Sequence, residues 1–596
     1  MTAVPPALIP IAGALLVPFL SGNLRKAYLL AVSIAALAAT LVLTPESAFT
    51  VPFLPDHDLV LLHVDSLSLI VGYIFAFIGV IAVLYSMLEE RTGHHMAALI
   101  QIGGGLGVAF AGDFLSVYVF WELLAATSLA LIWYGGREES GAAGMRYLLL
   151  HIFGGGCLLG GILLHAAATG STAVGPVAPG IGSLLLLIGI GVNAAFITLH
   201  VWLPDAYPRS SIAGGVILCV FTTKAAIYLL ARTFSGAEAV AWMGGLMVIY
   251  GVFFALLQND IRKLLSYHIV SQVGYMVAGV GIGTALGVSG GIAHLFNHIL
   301  YKALLFMCMG AVIYTTGRHN LTELGGLARR MPVTMIACVI AAAAISGIPG
   351  FNGYISKGMV IGAAASLHMT GLEIALLAGA VGTLLSFVKL TYYVFFRENN
   401  EIEAGEAPLP MLIAMVVTAF GCILFGVYPA LLFAILPIPV DYHPFSAGHL
   451  IETGGIILVT AVILLLGWSI FKPKARTIPD LIEAYRLAGR GFLWFCTTSL
   501  NRTADALAAA QQYAIAKVSW FAENPIMAIK ILTETALMPI ARIALPCADA
   551  ASLEEDLMRT RDEYPGDPAR MWSTGYGVLL VSLFFLFYFA VLYLIQ

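Results

Sequence analysis

Residues 294–306, HLFNHILYKALLF, set three ionisable side chains, His294, His298 and Lys302, four residues apart in an otherwise apolar run. Positions four apart on an α-helix differ by about 40° in azimuth, so the three form one slowly winding stripe. Their rise covers about 12 Å, close to half of a bilayer's hydrocarbon core. The intervening apolar residues suit lipid or neighbouring helices, and the stripe suits a hydrated interior. Histidine titrates near about pH 6.5 and a desolvated lysine gives up its proton more readily, so such a row can accept and release protons in steps.

The rest of the chain agrees with a membrane setting. Of 596 residues, 60% are hydrophobic and 10% charged, against about 25% charged in a soluble domain. Apolar runs of roughly 18 or more residues recur, the pattern of an all-α polytopic membrane protein in a lipid bilayer. A net charge of −4 leaves no basic surplus for nucleic acid. The seven cysteines are scattered and form no CxxC or Cys/His cluster, so no iron–sulfur, zinc or disulfide framework is expected, and no cofactor or metal. The N-terminal apolar run precedes its positive charges and reads as a retained first span.

About 16 transmembrane helices are expected, at roughly 4–21, 27–44, 66–87, 96–111, 113–133, 144–168, 182–204, 211–233, 239–257, 264–283, 288–316, 333–367, 371–396, 410–435, 452–471 and 574–595. The run 333–367 is too long for one span. Its middle, SGIPGFNGYIS, holds Pro349 among Gly347, Gly350 and Gly353, which predicts a broken helix. Lys and Arg concentrate in alternate loops, from Arg25 and Lys26 through Arg318, Arg329 and Arg330 to Lys472, Lys474 and Arg476, with Arg232 the exception. That asymmetry puts both termini outside and these loops on the cytoplasmic side of the inner (plasma) membrane. Residues 477–572 are too polar to span and too periodic for disorder. They read as an amphipathic segment on the cytoplasmic face, anchored by 574–596, with a small soluble domain as the competing reading.

A charge at the bilayer centre costs about 3 kcal/mol or more, so each one needs a reason. Besides the stripe, the spans hold Glu122 in FWELLAATSLALIW, His200 in the seventh span, Lys224 in LCVFTTKAAIYLLA, Lys357 after the expected break, and Lys389 late in the thirteenth span. A plainer reading stands beside each. His200 reads as a helix–helix hydrogen-bond partner, Lys389 as a side chain snorkelling to the interface, and Glu122 as an interfacial acid. The glycine-rich IGGGLG at 102–107 reads as close helix packing.

The ordered motifs DFLSVYVFWELL, HVWLPDAYP, NDIRKLLSYHIVSQVGYM, HLFNHILYKALLFMCMGAVIY, LGGLARRMP and SGIPGFNGYISKG together resemble the antiporter-like subunits shared by respiratory complex I, Mrp-type Na+/H+ antiporters and membrane-bound hydrogenases. The match covers roughly 60–400. It implies two inverted five-helix repeats, here 96–233 and 239–396, each with one broken helix, preceded by helices in 1–95 and followed by helices in 410–471. It also implies a C-terminal amphipathic arm. By resemblance the proton pathway comprises Glu122, Lys224, His294, His298, Lys302 and Lys357; Lys389, late in the thirteenth span, is read beside them as a further exit group. A lysine usually stands seven residues before the histidine of the HxWLP motif, and here that position is Asn193. The partner of Glu122 is then either missing or supplied by Lys224 or Arg146, and the second repeat is expected to hold the more secure path.

The resemblance implies a proton-translocating subunit, without catalytic chemistry of its own, in a redox-driven complex of several membrane subunits. Two other readings stay open: a Mrp-type subunit exchanging Na+ for protons without redox coupling, and a largely structural scaffold.

Overall fold

The computed structural model describes residues 3–54, 57–399, 401–468, 471–475, 478–566 and 574–595. Arg476 of the basic loop and the end of the amphipathic segment beyond residue 566 lie outside the described residues. The chain divides into two compact units, Met1–Pro479 and Asp480–Gln596. Among the described residues, ten helices are long and apolar enough to cross a membrane.

The first unit begins with α1 (Leu8–Ala14) and α2 (Gly22–Leu41). The expected first span is not one helix: α1 stops at Ala14, a short 3-10 turn over Val17–Phe19 follows, and Pro18 cannot donate to the preceding turn. A second departure from an all-helical chain is an antiparallel hairpin, β1 (Ala48–Leu54) with β2 (His57–His63). Its Val60 amide donates to Asp113 Oδ2 at 2.7 Å, which ties the hairpin to the start of a later helix.

The helices α3 (Ser66–Tyr85), α4 (Thr92–Phe110), α5 (Phe114–Trp133) and α6 (Glu138–Thr169) follow. Asp65 caps α3 and also pairs with Arg232. The one basic residue that broke the loop asymmetry is thus neutralised within the chain. The next expected span divides into α7 (Ile181–Asn193) and α8 (Trp202–Ala206). Between them Ala195 and Thr198 take positive φ of 60° and 82°, a strained conformation for residues with a Cβ. Trp202 Nε1 donates to the Val192 carbonyl at 2.8 Å, one of the acceptors that the break frees. The eighth expected span is also interrupted, into α9 (Ile212–Leu218) and α10 (Phe221–Thr233), with no proline or glycine at the join.

Next come α11 (Glu238–Leu257), α12 (Ile261–Ile282) and α13 (Ala285–Thr316). The predicted break is present: α14 (Pro332–Ser346) ends at Gly347, whose φ of 77° closes the helix in the left-handed region, and α15 (Asn352–Ser366) resumes after five residues. Then follow α16 (Thr370–Thr391), which closes in a π-helical turn over Tyr392–Phe396, α17 (Leu409–Val427), the short α18 (Ala430–Phe433) and α19 (Ala447–Gly467).

One local pattern occurs twice, 147 residues apart. Asp113 caps α5 and bridges Ala173, and Asp260 caps α12 and bridges Asn320. The helices α6 and α13 that follow are each 32 residues long and each ends on a left-handed glycine, Gly170 and Gly317.

In the second unit, α20 (Leu481–Trp494) and α21 (Asn501–Glu523) are joined by a π-helical stretch into one helical rod. At 1.5 Å per residue its length is about 64 Å. None of its side chains is buried. After it, α22 (Pro525–Ala544) and α23 (Cys547–Asp562) form a hairpin around a small core of Met527, Ile531, Met538 and Leu557. The final helix, α24, is Thr574–Ile595.

Candidate functional site

The stripe that opens the sequence lies on α13, which packs against α12, α14, α15 and α17 and is therefore enclosed by protein on most sides. His294, His298 and Lys302 are all fully buried. His294 Nδ1 lies 2.9 Å from Ser356 Oγ on α15, and its Nε2 lies 3.1 Å from Tyr301 OH. The ring centroid of His298 is 6.3 Å from that of His294. Among the described residues, neither ring nitrogen of His298 nor Lys302 Nζ has a protein hydrogen-bond partner. Lys302 Nζ instead sits over the rings of Phe306 and Phe387, at 6.0 and 5.9 Å. A buried amine that meets only ring faces is poorly compensated.

Three further lysines are held by backbone carbonyls at helix ends. Lys224 Nζ donates to the Cys219 carbonyl at 2.5 Å, across the interruption between α9 and α10, and to Thr223 Oγ1 at 3.0 Å. Lys357 Nζ donates to the Ile345 carbonyl at 2.7 Å, across the break between α14 and α15, and lies over the Tyr275 ring. Lys389 Nζ donates to the carbonyls of Leu256 and Gln258, at 2.7 and 3.1 Å, and so closes the end of α11. Lys389 is 1% exposed, so its side chain is packed against protein and does not stand free in solvent. Lys224 on α10 and Lys302 on α13 both come within electrostatic reach of Cys219.

His268 on α12 went unrecognised in the sequence. It is fully buried, its ring nitrogens have no protein partner among the described residues, and it stands within electrostatic reach of both Lys302 and Lys357. Its ring centroid is 4.7 Å from that of Phe387, the same ring that covers Lys302. The only sequence signal was a histidine inside an apolar helix, in SYHIVSQ, without the four-residue spacing that marked α13.

The first half of the chain is arranged differently. At the 147-residue recurrence, the positions of His294, His298 and Lys302 are taken by Tyr147, His151 and Gly155. His151 is buried and stacked on Tyr147, with centroids 3.8 Å apart. Gly155 faces Glu122: a Cβ built there would overlap the Glu122 carboxylate. Glu122 is half-buried and bonds Tyr118. Asn193, 1% exposed, ends α7 with its Nδ2 lacking a protein partner among the described residues. His200 packs edge-on against Tyr250, with centroids 4.6 Å apart. Arg146 is not joined to Glu122. It forms a two-pronged pair with Asp205, at 2.7 and 3.1 Å, which Arg209 also joins. Lys224 is likewise engaged by Cys219 and Thr223.

The buried lysines and histidines therefore run through the second half and up to its border with the first, as a set of groups on α10, α12, α13, α15 and α16. Such an arrangement can hold a proton at any of several of these groups.

Residues 111–386 match the family model described as NADH:quinone oxidoreductase/Mrp antiporter, transmembrane. An Na(+)/H(+) antiporter subunit of Alkalihalophilus pseudofirmus is 29% identical over 437 residues, covering 64% of this chain and 54% of that protein. An uncharacterized protein of Methanocaldococcus jannaschii is 32% identical over 379 residues, covering 58% of this chain and 78% of that one. The chain thus spans about half the length of the antiporter relative. Among solved structures, a chain of the archaeal membrane-bound sulfane sulfur reductase superposes with a TM-score of 0.68 at 24% identity, over 86% of this chain and 95% of that one. A chain of respiratory complex I from Thermus thermophilus superposes with a TM-score of 0.64 at 25% identity, over 72% and 98%.

Proposed function

We propose that this chain, which belongs to the NADH:quinone oxidoreductase/Mrp antiporter family of membrane subunits, translocates protons as one part of a larger redox-driven membrane complex. The observation that carries the reading is the enclosed set Lys224, His298, Lys302, His268 and Lys357, buried together in a body of membrane helices. Charges in such a place are expensive and mark ion pathways.

In this reading a proton is held on Lys302 and the neighbouring histidines and leaves through Lys357, with Lys389 as a further group on the route. Glu122 acts from the side, as a charge whose state biases the lysines. The inverted repeats fit the recurrence over 147 residues, in which α5 and α6 correspond to α12 and α13, and such repeats with midplane charges beside helix breaks are a general transporter arrangement. The loop charges orient the chain with its termini outside, in the plasma membrane. The rod of α20 and α21, of about 64 Å, with apolar side chains left exposed, suits an arm lying along partner subunits at the cytoplasmic face.

A second reading, a Mrp-type subunit exchanging Na+ for protons, is supported by the named antiporter relative. One experiment separates the two. The complex is purified from its native membrane and reconstituted in proteoliposomes, and proton movement is followed under an imposed Na+ gradient and, separately, under an electron donor and acceptor. Electron-driven proton uptake supports redox coupling. Movement driven only by the Na+ gradient replaces it with the exchange reading. No movement in either condition, with Lys302→Met indistinguishable from wild type, leaves a scaffold.

A further inference from the structure

The relay through Lys357 needs a way out, and the chain contains a cleft that no motif announces. Lys357 lines it from α15 together with Tyr354, and His449 and Glu452 line it from α19. His449 and Glu452 stand three residues apart in the first two turns of α19, so they share one face.

Glu452 is the odd residue here. It stands in the second turn of α19, where the apolar span begins, and is exposed. The histidine beside it is fixed with care. His449 stacks on Tyr354 with centroids 4.3 Å apart and planes within 10°, its Nδ1 donates to the Pro444 carbonyl at 2.8 Å, and Tyr442 OH lies 3.3 Å from the same nitrogen. Nε2 makes neither of these contacts, and with Cε1 it lies beside Gly358, the residue after Lys357. A side chain at Gly358 would close this approach, since a Cβ there meets the His449 ring and the Tyr442 hydroxyl. The other charged group nearby is Glu373, in the first turn of α16, within electrostatic reach of Glu452.

Resting on the proton-pathway reading above, we infer that His449 and Glu452 form the release site for protons leaving Lys357. The Lys357 ammonium gives its proton to water in the cleft and becomes a neutral amine. That water passes a proton to His449 Nε2 or to the Glu452 carboxylate, and the acceptor releases it to the aqueous phase at the start of α19. The loop charges assign that end to the outside. The exit is then built on α19 and lies outside the two repeats that carry the buried lysines.

The test uses vesicles of the native membrane holding the assembled complex, with proton flux read from a pH-sensitive dye. Glu452→Gln should slow flux about fivefold, and combination with His449→Gln about tenfold or more, at unchanged amounts of complex. Added azide or formate, small weak acids able to carry the proton in place of the carboxylate, should restore flux in Glu452→Gln. Glu452→Asp, which keeps a carboxylate, should stay within about twofold of wild type. Flux within twofold of wild type in the double variant, with Lys357→Met inactive, overturns the release site and leaves the pathway standing. A loss that neither weak acids nor Glu452→Asp reverses also overturns it, because that loss is structural. Unchanged flux in Lys357→Met removes the pathway and the release site with it.

Discussion

Lys357 Nζ donates to the Ile345 carbonyl at 2.7 Å, so the amine of one half of a broken helix is held by the backbone of the other half. Lys224 repeats the arrangement at the Cys219 carbonyl. In both cases an interruption frees an acceptor that a continuous helix would have used. The choice of a carbonyl over a carboxylate has a consequence for transport. A neutral amine still has hydrogens to donate, so the bond outlasts proton loss, and the lysine need not move when it discharges. A carboxylate partner would instead favour the charged form and resist discharge.

Lys302 is the first place to test this logic, because it lacks even a carbonyl. Lys302→Met keeps much of the volume and removes a buried amine that no protein acceptor satisfies among the described residues. Replacing such a group by an apolar one is neutral or stabilising, by about 1 kcal/mol. The expected outcome is a complex that assembles and melts at or above the wild-type temperature but has lost proton flux at least tenfold. Thermal unfolding and flux measured on the same preparation check both halves of the statement.

Lys389→Met should do the opposite to stability. Its ammonium satisfies two carbonyls at the end of α11, and removing it leaves both unpaired in a buried site. The expected loss is about 2–4 kcal/mol, from two hydrogen bonds to a charged group. A melting temperature equal to that of wild type would return Lys389 to the surface role that the sequence suggested.

What the sequence disclosed, and what it hid, follows from how local each signal is. The stripe on α13 was readable because three titratable groups at helical spacing cannot arise from an apolar pattern. The break before Lys357 was readable because Pro349 and its neighbouring glycines forbid a continuous helix. The interruption at Cys219 carried no such residue and depends on Lys224 reaching back five positions to hold it open. The kink after Asn193 uses positive φ at Ala195 and Thr198, which composition does not reveal. The engagement of Arg146 by Asp205 is a tertiary contact between residues 59 apart in sequence. Its bidentate geometry supplies a closer partner than Glu122 could.

A pH test is available at the loop before α4. Burial alone would raise the Glu89 carboxyl, but the hydrogen bonds of Arg91, the charge of His94 and the charge of Arg91 outweigh it and bring its pKa down from the ordinary 4.5 to about 2. A depressed acid contributes stability above its unfolded value and loses it as pH falls through the folded one. The loop should therefore stay closed at pH 5 and open progressively between about pH 4.5 and 2. The amides of Glu90 and Arg91, which donate to Glu89 Oε1, report this directly by hydrogen exchange corrected for intrinsic rates. Glu89→Gln should be open already at pH 5 and show no transition over that range.

The first half of the chain offers the last prediction, because Gly155 stands where the recurrence places Lys302. Glu122 therefore faces a glycine where the second half presents an amine. An acid without a lysine partner can tune nearby charges but cannot pass a proton along a chain of amines. Glu122→Gln should lower flux several-fold without abolishing it, whereas Lys302→Met and Lys357→Met abolish it. Gly155→Ala forces the carboxylate aside and should reproduce the Glu122→Gln effect on flux, with a modest loss of stability from the displaced packing. The pair of variants combined should be no worse than either alone, since both act through the same carboxylate. Complete loss of flux in Glu122→Gln would show that the first half relays protons itself.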